Sequence, residues 1–383
     1  MHQTRTTILL SVALVFLLVL LVFTSIHAMN FPSVAEPVIT DISVAAPAAK
    51  QGLVTENGHL YFYNEDGTLF TGGYKELSNG DTTDYYYFLP SGQAYTSGYK
   101  ALEIDGMPCY FFFQETGKAF TGGLKEVSFG EEIHTYFFQD NGRAFTSGWD
   151  TIQENTYYFQ DNGRAVKNTF LTLDNNIYYF DDHASLITDG WFCVDANEGY
   201  YYASSTGVLA TDTVIEGYKL DASGKSSTKY RINRYVNEHI DASMSDQEKI
   251  DALYDWVLKS DMCYIRTYEH VRSGWEWKDS WVDDMATSHM DNWGGNCFRY
   301  AAFLGMLLRE ATGLPVTVYH GQTLATYGGL TPHSWAAVCQ DGIWYVYDVE
   351  LQKFTSATRS AVHKLPATES YLHLQGVGTE LYS

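Results

Sequence analysis

Three things are scarce in this chain of 383 residues, and each scarcity excludes something. Basic residues come first. Lys+Arg is 24 against Asp+Glu 46, a formal net charge of −22. A protein that grips a phosphate backbone needs a basic stripe, so no nucleic acid is expected as a partner. Cysteine is second. Cys109, Cys193, Cys263, Cys297 and Cys339 are too few and too scattered for a disulfide scaffold, and their odd number leaves at least one thiol free. Cys109–Cys193 and Cys263–Cys339 remain open as bridges. No Cys/His spacing suggests zinc, and neither a metal nor a cofactor is expected. His270, His289 and Asp291 lie close together in the chain without ligand spacing.

Long apolar runs are the third scarcity. A single one occurs, from Ile8 to Ile26, behind Arg5. It fits either a cleaved signal peptide or a membrane anchor over residues 1–28, and both place the rest of the chain outside the cytoplasm. Residues 29–50 carry Pro32, Pro37 and Pro47 among many Ala and read as an extended linker.

Aromatic residues are abundant instead, at 16%, and they are unevenly placed. Of the 30 Tyr, 18 fall between residues 51 and 228, and net charge of −16 falls there too. A motif recurs through this stretch: Gly67-Thr-Leu-Phe-Thr-Gly-Gly, then copies starting at Gly92, Gly117, Gly142 and Gly163, with weaker ones at Ala184 and Gly207. An aromatic cluster precedes each copy, such as Tyr85-Tyr86-Tyr87-Phe88 and Tyr136-Phe137-Phe138. Each unit reads as an aromatic strand, a turn of the Asp-Asn-Gly kind, a short strand and a Gly-aromatic step. One hairpin cannot bury its own aromatic face, whereas stacked neighbours can, which predicts an all-β array of stacked hairpins.

The unit Tyr-Tyr-Phe…Asn-Gly-Arg-Ala-Phe-Thr-Ser-Gly-Trp resembles the cell-wall-binding, choline-binding-like repeats of Gram-positive surface proteins, over residues 51–228. The resemblance implies that aromatic residues of adjacent repeats line shallow sites for choline on teichoic acid or for glycans, and that the protein sits at the cell wall. The residues it nominates for the wall ligand are Trp149, Trp191, Tyr74 and Tyr99, which occupy the Gly-aromatic step; Leu124 stands there in one copy.

From residue 229 the pattern changes. Ser245-Asp-Gln-Glu248 is a capping box, followed by apolar residues at Ile250, Leu253, Tyr254, Val257 and Leu258, one face of a helix. Residues 266–296 read as a long irregular loop rich in Trp. A buried helix then starts at Cys297 and closes at Thr312-Gly313. The free amides and dipole at a helix N-terminus favour a thiolate. Leu314–His320 reads as a strand. After it, Pro332–Gln340 and Ile343–Asp348 form a hairpin about Asp341-Gly342. A two-residue turn sets the register, so that His333 faces Glu350, Asp348 faces Trp335, and His333 and Asp348 are diagonal neighbours on one face.

These pieces resemble the transglutaminase-like superfamily of papain-related cysteine enzymes: Gly-Asn-Cys297-Phe-Arg-Tyr-Ala, Thr-Gly-Leu-Pro-Val-Thr-Val-Tyr-His-Gly, His333-Ser-Trp-Ala-Ala-Val and Asp-Gly-Ile-Trp-Tyr-Val-Tyr-Asp348, over about residues 229–355. The resemblance implies Cys297 as nucleophile, His333 as general base and then acid, and Asp348 as its orienter. It also implies a thioester drawn from an amide of a protein or peptide substrate and passed to an amine or to water. The expected fold is therefore multidomain: a β-hairpin solenoid over 51–228 followed by an α+β transglutaminase-like, papain-like domain over 229–383. The expected function is an exported, wall-associated cysteine acyltransferase or hydrolase. The alternative is a surface adhesin or scaffold with an inactive cysteine domain.

Overall fold

The computed structural model describes residues 50–267, 276–325, 328–370 and 373–381. The signal or anchor segment, the linker before Lys50, His270 and Trp275 lie outside the described residues. Among the described residues, no helix is long and apolar enough to cross a membrane.

The chain divides into two compact units, one ending at Phe70 and one running from Thr71. The first contains a hairpin of β1 (Gly52–Glu56) and β2 (His59–Tyr63), joined by Asn57-Gly58, both at positive φ. The second opens with seven more hairpins. These are β3/β4 (Gly73–Asn79, Thr82–Phe88), β5/β6 (Gly98–Ile104, Met107–Phe113), β7/β8 (Gly123–Phe129, Glu132–Phe138), β9/β10 (Gly148–Ile152, Asn155–Phe159), β11/β12 (Thr169–Leu173, Asn176–Phe180), β13/β14 (Gly190–Val194, Gly199–Ala203) and β15/β16 (Thr213–Ile215, Tyr218–Leu220).

The sequence unit and the hairpin are out of phase. The Gly-aromatic step begins the first strand of a hairpin, and the aromatic cluster forms the second. The Asp-Asn-Gly turn lies after the hairpin and leads only to a single bridge, such as Phe138 to Ala144. No second strand forms there, because Ala144 turns away to the preceding hairpin: its N–H donates to the Tyr110 carbonyl at 2.8 Å, as Ala119 does to Tyr85 and Ala165 to Thr135. These bonds stitch successive hairpins together. They also explain the Gly before each such Ala: a Cβ on Gly142, at φ +74, would lie 3.2 Å from the Ala119 Cβ. The last aromatic of the five central clusters fills the middle. Phe88, Phe113, Phe138, Phe159 and Phe180 are all 0% exposed. Full burial of each ring supplies about 1.5–3 kcal/mol, which no isolated hairpin could obtain.

The remainder of the second unit is mixed α and β. Helices α1 (Ser227–His239), α2 (Asp246–Lys259), α3 (Trp281–Asn292) and α4 (Cys297–Thr312) lie with a five-stranded antiparallel sheet of order β22-β21-β20-β19-β23, formed by His363–Pro366, Ile343–Tyr347, Leu330–Gln340, Val316–Leu324 and His373–Glu380. The capping box at Ser245 forms as expected. So does the two-residue Asp341-Gly342 turn, with Gln340 paired to Ile343 and Ala336 to Tyr347. The stretch before Cys297 differs from the expected loop. Residues 281–292 are helical because Trp281, Val282, Met285, Ala286, His289 and Met290 share one buried face. Helix α4 is buried along most of its length and forms the core with α2, α3 and the sheet. Tyr218 of β16 joins the same core, and its hydroxyl donates to Glu310 of α4 at 3.1 Å, so the hairpin array continues into the helical region.

All five cysteines are unpaired, so neither bridge left open by the sequence forms. Cys193 is exposed in the array, with its thiol pushed up to about 11 by burial of the sulfur and by Asp195.

Candidate functional site

Three separate elements converge on Cys297. A short parallel pairing of β17 (Cys263–Tyr264) with β18 (Gly294–Gly295) leads the chain into α4. Gly294 sits at φ +149, and a Cβ there would lie 2.2 Å from the Cys263 carbonyl oxygen, so only glycine permits this approach. Asn296 caps α4, its side chain accepting the Arg299 N–H at 3.3 Å while its amide donates to Thr267 at 2.9 Å. Cys297 is therefore the first helical residue, buried at 8% exposure.

The β20–β21 hairpin supplies the partner. His333 Nε2 lies 2.6 Å from Asp348 Oδ2; the ladder of the hairpin ends one step earlier, at Ala336–Tyr347, so the two meet beyond the paired strands rather than as cross-strand neighbours. Asp348 caps α5 (Val349–Phe354), and its Oδ1 accepts the Leu351 N–H at 3.1 Å. With Nε2 committed to Asp348, Nδ1 is the ring nitrogen left for Cys297, which lies near enough to favour the imidazolium. The structure thus brings Cys297, His333 and Asp348 into one connected, buried group.

Burial works against a charged His333, but the adjacent Asp348 carboxylate outweighs it and Cys297 adds in the same direction. The imidazole pKa stands well above its ordinary value. Burial likewise pushes Asp348 up, and His333 and His373 together hold it below the usual carboxylate range. Glu350 flanks the pair, with Oε2 4.0 Å from His333 Nδ1; burial pushes its carboxyl up to about 7.

Two further side chains complete this group. Glu350, expected across the hairpin from His333, instead lies in the first turn of α5, because the strand ends at Tyr347. His373 was not singled out at all: its Nε2 donates to the same Asp348 Oδ2 at 2.8 Å, and its Nδ1 lies 2.5 Å from Ser370 Oγ. No sequence spacing links it to residue 348. The return strand β23, paired with β19, carries it there, with His373 opposite Thr323.

His333, Asp348 and His373 offer donor atoms within 4.8 Å of one another. Ligand bonds of about 2.1 Å to atoms separated by 2.6 Å would close the angle at a metal to about 75°, below that of regular coordination. These separations instead suit a proton between each nitrogen and the carboxylate. His289 and Asp291 are not brought together: His289 is sealed against Tyr300 and Phe303, and Asp291 pairs with Arg231 at 2.6 Å. Trp293 packs on Tyr235 and Trp256, and its indole donates to Asp261.

In the array, the four nominated aromatics separate into different environments. Trp149 is 40% exposed and edged by Tyr158 and Tyr178, with ring centroids 5.1 and 5.0 Å away. Tyr74 is half-buried against Tyr85 and Phe111, and Tyr99 against Tyr110 and Tyr136, so both fill space between hairpins. Trp191 is wedged between Tyr202 and Tyr218, with Lys229 Nζ 4.9 Å from its ring. The array also contains occupied cation sites that the sequence did not reveal. Lys100 Nζ lies 4.7 and 4.8 Å from the Tyr87 and Tyr95 rings, and Lys125 Nζ lies 4.4 and 5.0 Å from those of Phe112 and Phe120.

Comparison with known proteins reaches the repeats. Residues 146–184 match the choline-binding repeat family. Among solved structures, similarity is found to CbpJ from Streptococcus pneumoniae TIGR4 (21% identity, TM-score 0.36) and to choline binding protein F from Streptococcus pneumoniae (26%, 0.36). The choline-binding domain of CbpL from Streptococcus pneumoniae is a third (19%, 0.34). Each covers 46% of this chain; the matches span 58%, 57% and 86% of those chains respectively. No curated protein matches the chain. The molecule is thus a repeated β-hairpin array, one segment of which matches the choline-binding repeat family, with a mixed α/β C-terminal region.

Proposed function

We propose that this protein is a cell-wall-associated cysteine enzyme: the hairpin array holds it to a wall polymer, and the C-terminal region opens amide bonds through a Cys297 thioester. The observation that carries the enzymatic part is the 2.6 Å bond from His333 to a buried Asp348, with Cys297 buried at the start of a helix and close enough to act on the same imidazole. In the first step His333 Nδ1 takes the thiol proton and the sulfur attacks the carbonyl of a protein or peptide substrate. The imidazolium then gives that proton to the leaving nitrogen. Asp348 holds the imidazole and compensates its charge. An amine or a water, deprotonated by His333, next attacks the thioester and releases Cys297. Cross-linking and hydrolysis share these steps and differ only in which nucleophile reaches the thioester.

The wall-binding part rests on the match of residues 146–184 to the choline-binding repeat family. Trp149 lies within that segment and, backed by Tyr178, presents an exposed aromatic face suited to a quaternary ammonium or a sugar ring. Teichoic acid, glycan or peptidoglycan are the polymers this face would meet, and a cell-surface location follows.

Incubation of the purified protein with a glutamine-containing peptide and a fluorescent amine tests the chemistry, alongside an assay for amide cleavage of wall peptides. Incorporation or cleavage that disappears in Cys297→Ala supports the reading; absence of both in the native protein refutes it. A second reading, a non-catalytic surface adhesin or scaffold, is favoured by the confinement of the family match to the repeats. It predicts wall retention without any Cys297-dependent product.

A further inference from the structure

We propose that His373 is a positioning residue for the Cys297–His333 pair, acting by sharing the Asp348 carboxylate with His333. The inference rests on the acyl-transfer reading above and adds a fourth side chain to its machinery. Asp348 Oδ2 receives His333 Nε2 at 2.6 Å and His373 Nε2 at 2.8 Å, while Oδ1 receives the Leu351 N–H. An ionised carboxylate only accepts, so both Nε2 atoms must carry hydrogen. That fixes the tautomer of neutral His333 with its lone pair on Nδ1, the nitrogen that meets the thiol. The far end of His373 is fixed too: with Nε2 protonated, Nδ1 of the neutral ring accepts from Ser370 Oγ at 2.5 Å. The chain Ser370–His373–Asp348–His333–Cys297 is therefore directional at every link. The His373 side chain is 1% exposed and packs 4.9 Å from the Trp335 ring, which leaves bulk water little access to take its place.

Sharing has a consequence for protonation. Each donor on Asp348 disperses its charge, and removing one raises the proton affinity of the carboxylate and of the groups it faces. The titratable groups around the carboxylate are Cys297 on α4, His333 on β20, His373 on β23, Glu350 on α5 and Tyr254 on α2, whose hydroxyl donates to the Asp348 carbonyl at 3.1 Å. Without the His373 donor, the carboxylate holds the imidazolium of His333 more strongly, and reaction of the neighbouring sulfur with an electrophile moves to higher pH.

The test is the pH dependence of Cys297 alkylation by a neutral haloacetamide in the full chain, read by mass spectrometry, with native folding checked by circular dichroism. His373→Met, of similar bulk but without a donor, is expected to shift the profile upward and to slow alkylation on its acidic limb about tenfold, one pH unit being a factor of ten. His373→Gln, whose amide can donate to Oδ2, is expected to restore the native profile. A merely structural role would lower the amplitude without moving the limbs. An unmoved profile in His373→Met, or a His373→Gln profile that moves as far, overturns the inference. The underlying reading fails separately, if His333→Ala leaves the native alkylation profile unchanged.

Discussion

His289 provides a stringent test of how the C-terminal core is built. Its ring lies parallel to Phe303, 4.6 Å away, and edge-on to Tyr300 at 4.5 Å. Nε2 meets the Met262 sulfur at 3.3 Å, and Nδ1 has no hydrogen-bond partner among the described residues. Burial therefore pushes its pKa down to about 3, with Arg299 and Lys353 adding in the same direction. The folded pKa is depressed below the unfolded value near 6.5, so the folded state holds this ring neutral while the unfolded chain protonates it. Its contribution to stability is complete above pH 6.5 and is lost as pH falls toward 3. At about 1.4 kcal/mol per pH unit, the loss between pH 6.5 and pH 4.5 is about 2–3 kcal/mol. Asp283 and Glu350, pushed up by burial to about 6 and about 7, act in the opposite sense over this range, so the native profile alone conceals the effect. His289→Phe isolates it, because phenylalanine fits the aromatic cluster without titrating. Urea unfolding followed by tryptophan fluorescence suits the measurement, since Trp149 and Trp191 are the only two of the nine Trp that lie in the array. Relative to the native protein, the variant should gain about 2–3 kcal/mol on going from pH 6.5 to pH 4.5. Parallel pH profiles for the two proteins would falsify the assignment of a neutral, desolvated His289.

Asp283→Asn should behave in mirror image. The folded carboxyl titrates near 6, so native stability falls as pH rises from about 4 to 6, and the variant should lose that slope in the same unfolding series. Gly294→Ala should abolish alkylation of Cys297 at neutral pH, because the added carbon collides with the Cys263 carbonyl and displaces the entry to α4. Phe138→Ala should destabilise the array by about 3–5 kcal/mol, seen as a lower melting temperature in far-ultraviolet circular dichroism. Trp149→Ala should reduce retention on purified cell walls several-fold, whereas Leu124→Ala should not; equal retention by both variants would remove Trp149 from the binding surface.

Much of the molecule was legible in the chain because its signals are local and repeated. The aromatic clusters and Gly-x-Ala steps recur at a nearly constant interval, and each forms the same hairpin and stitch. Asp341-Gly342 is a two-residue turn, and the alternation of strand residues carries the register to Ala336 and Tyr347; beyond it the cap of α5 sets Asp348 beside His333. Helix α3 was missed for a physical reason: its buried face includes Asp283 and His289, polar residues that hide an apolar stripe, and its Trp and charge content mimics a loop. The phase of the repeat is hidden for a similar reason: the Asn-Gly turn that looks like a hairpin tip instead redirects the chain to the previous hairpin.

The sequence by itself determined the elements whose cause is near in the chain: the stacked hairpins, the capping of α2 and α4, and the placing of a thiol at a helix start and an imidazole beside a carboxylate. Only the tertiary structure decided which side chains meet from afar. Lys100 and Lys125 settle on aromatic pairs of neighbouring strands, and Trp191 is taken by Lys229, so the ligand-facing aromatic surface is smaller than the aromatic count suggests. His373 reaches Asp348 because β23 returns to the free edge of β19, and Glu350 is drawn beside His333 by the first turn of α5. Such contacts depend on how sheets and helices pack, and packing leaves no fixed interval in the sequence for the eye to find.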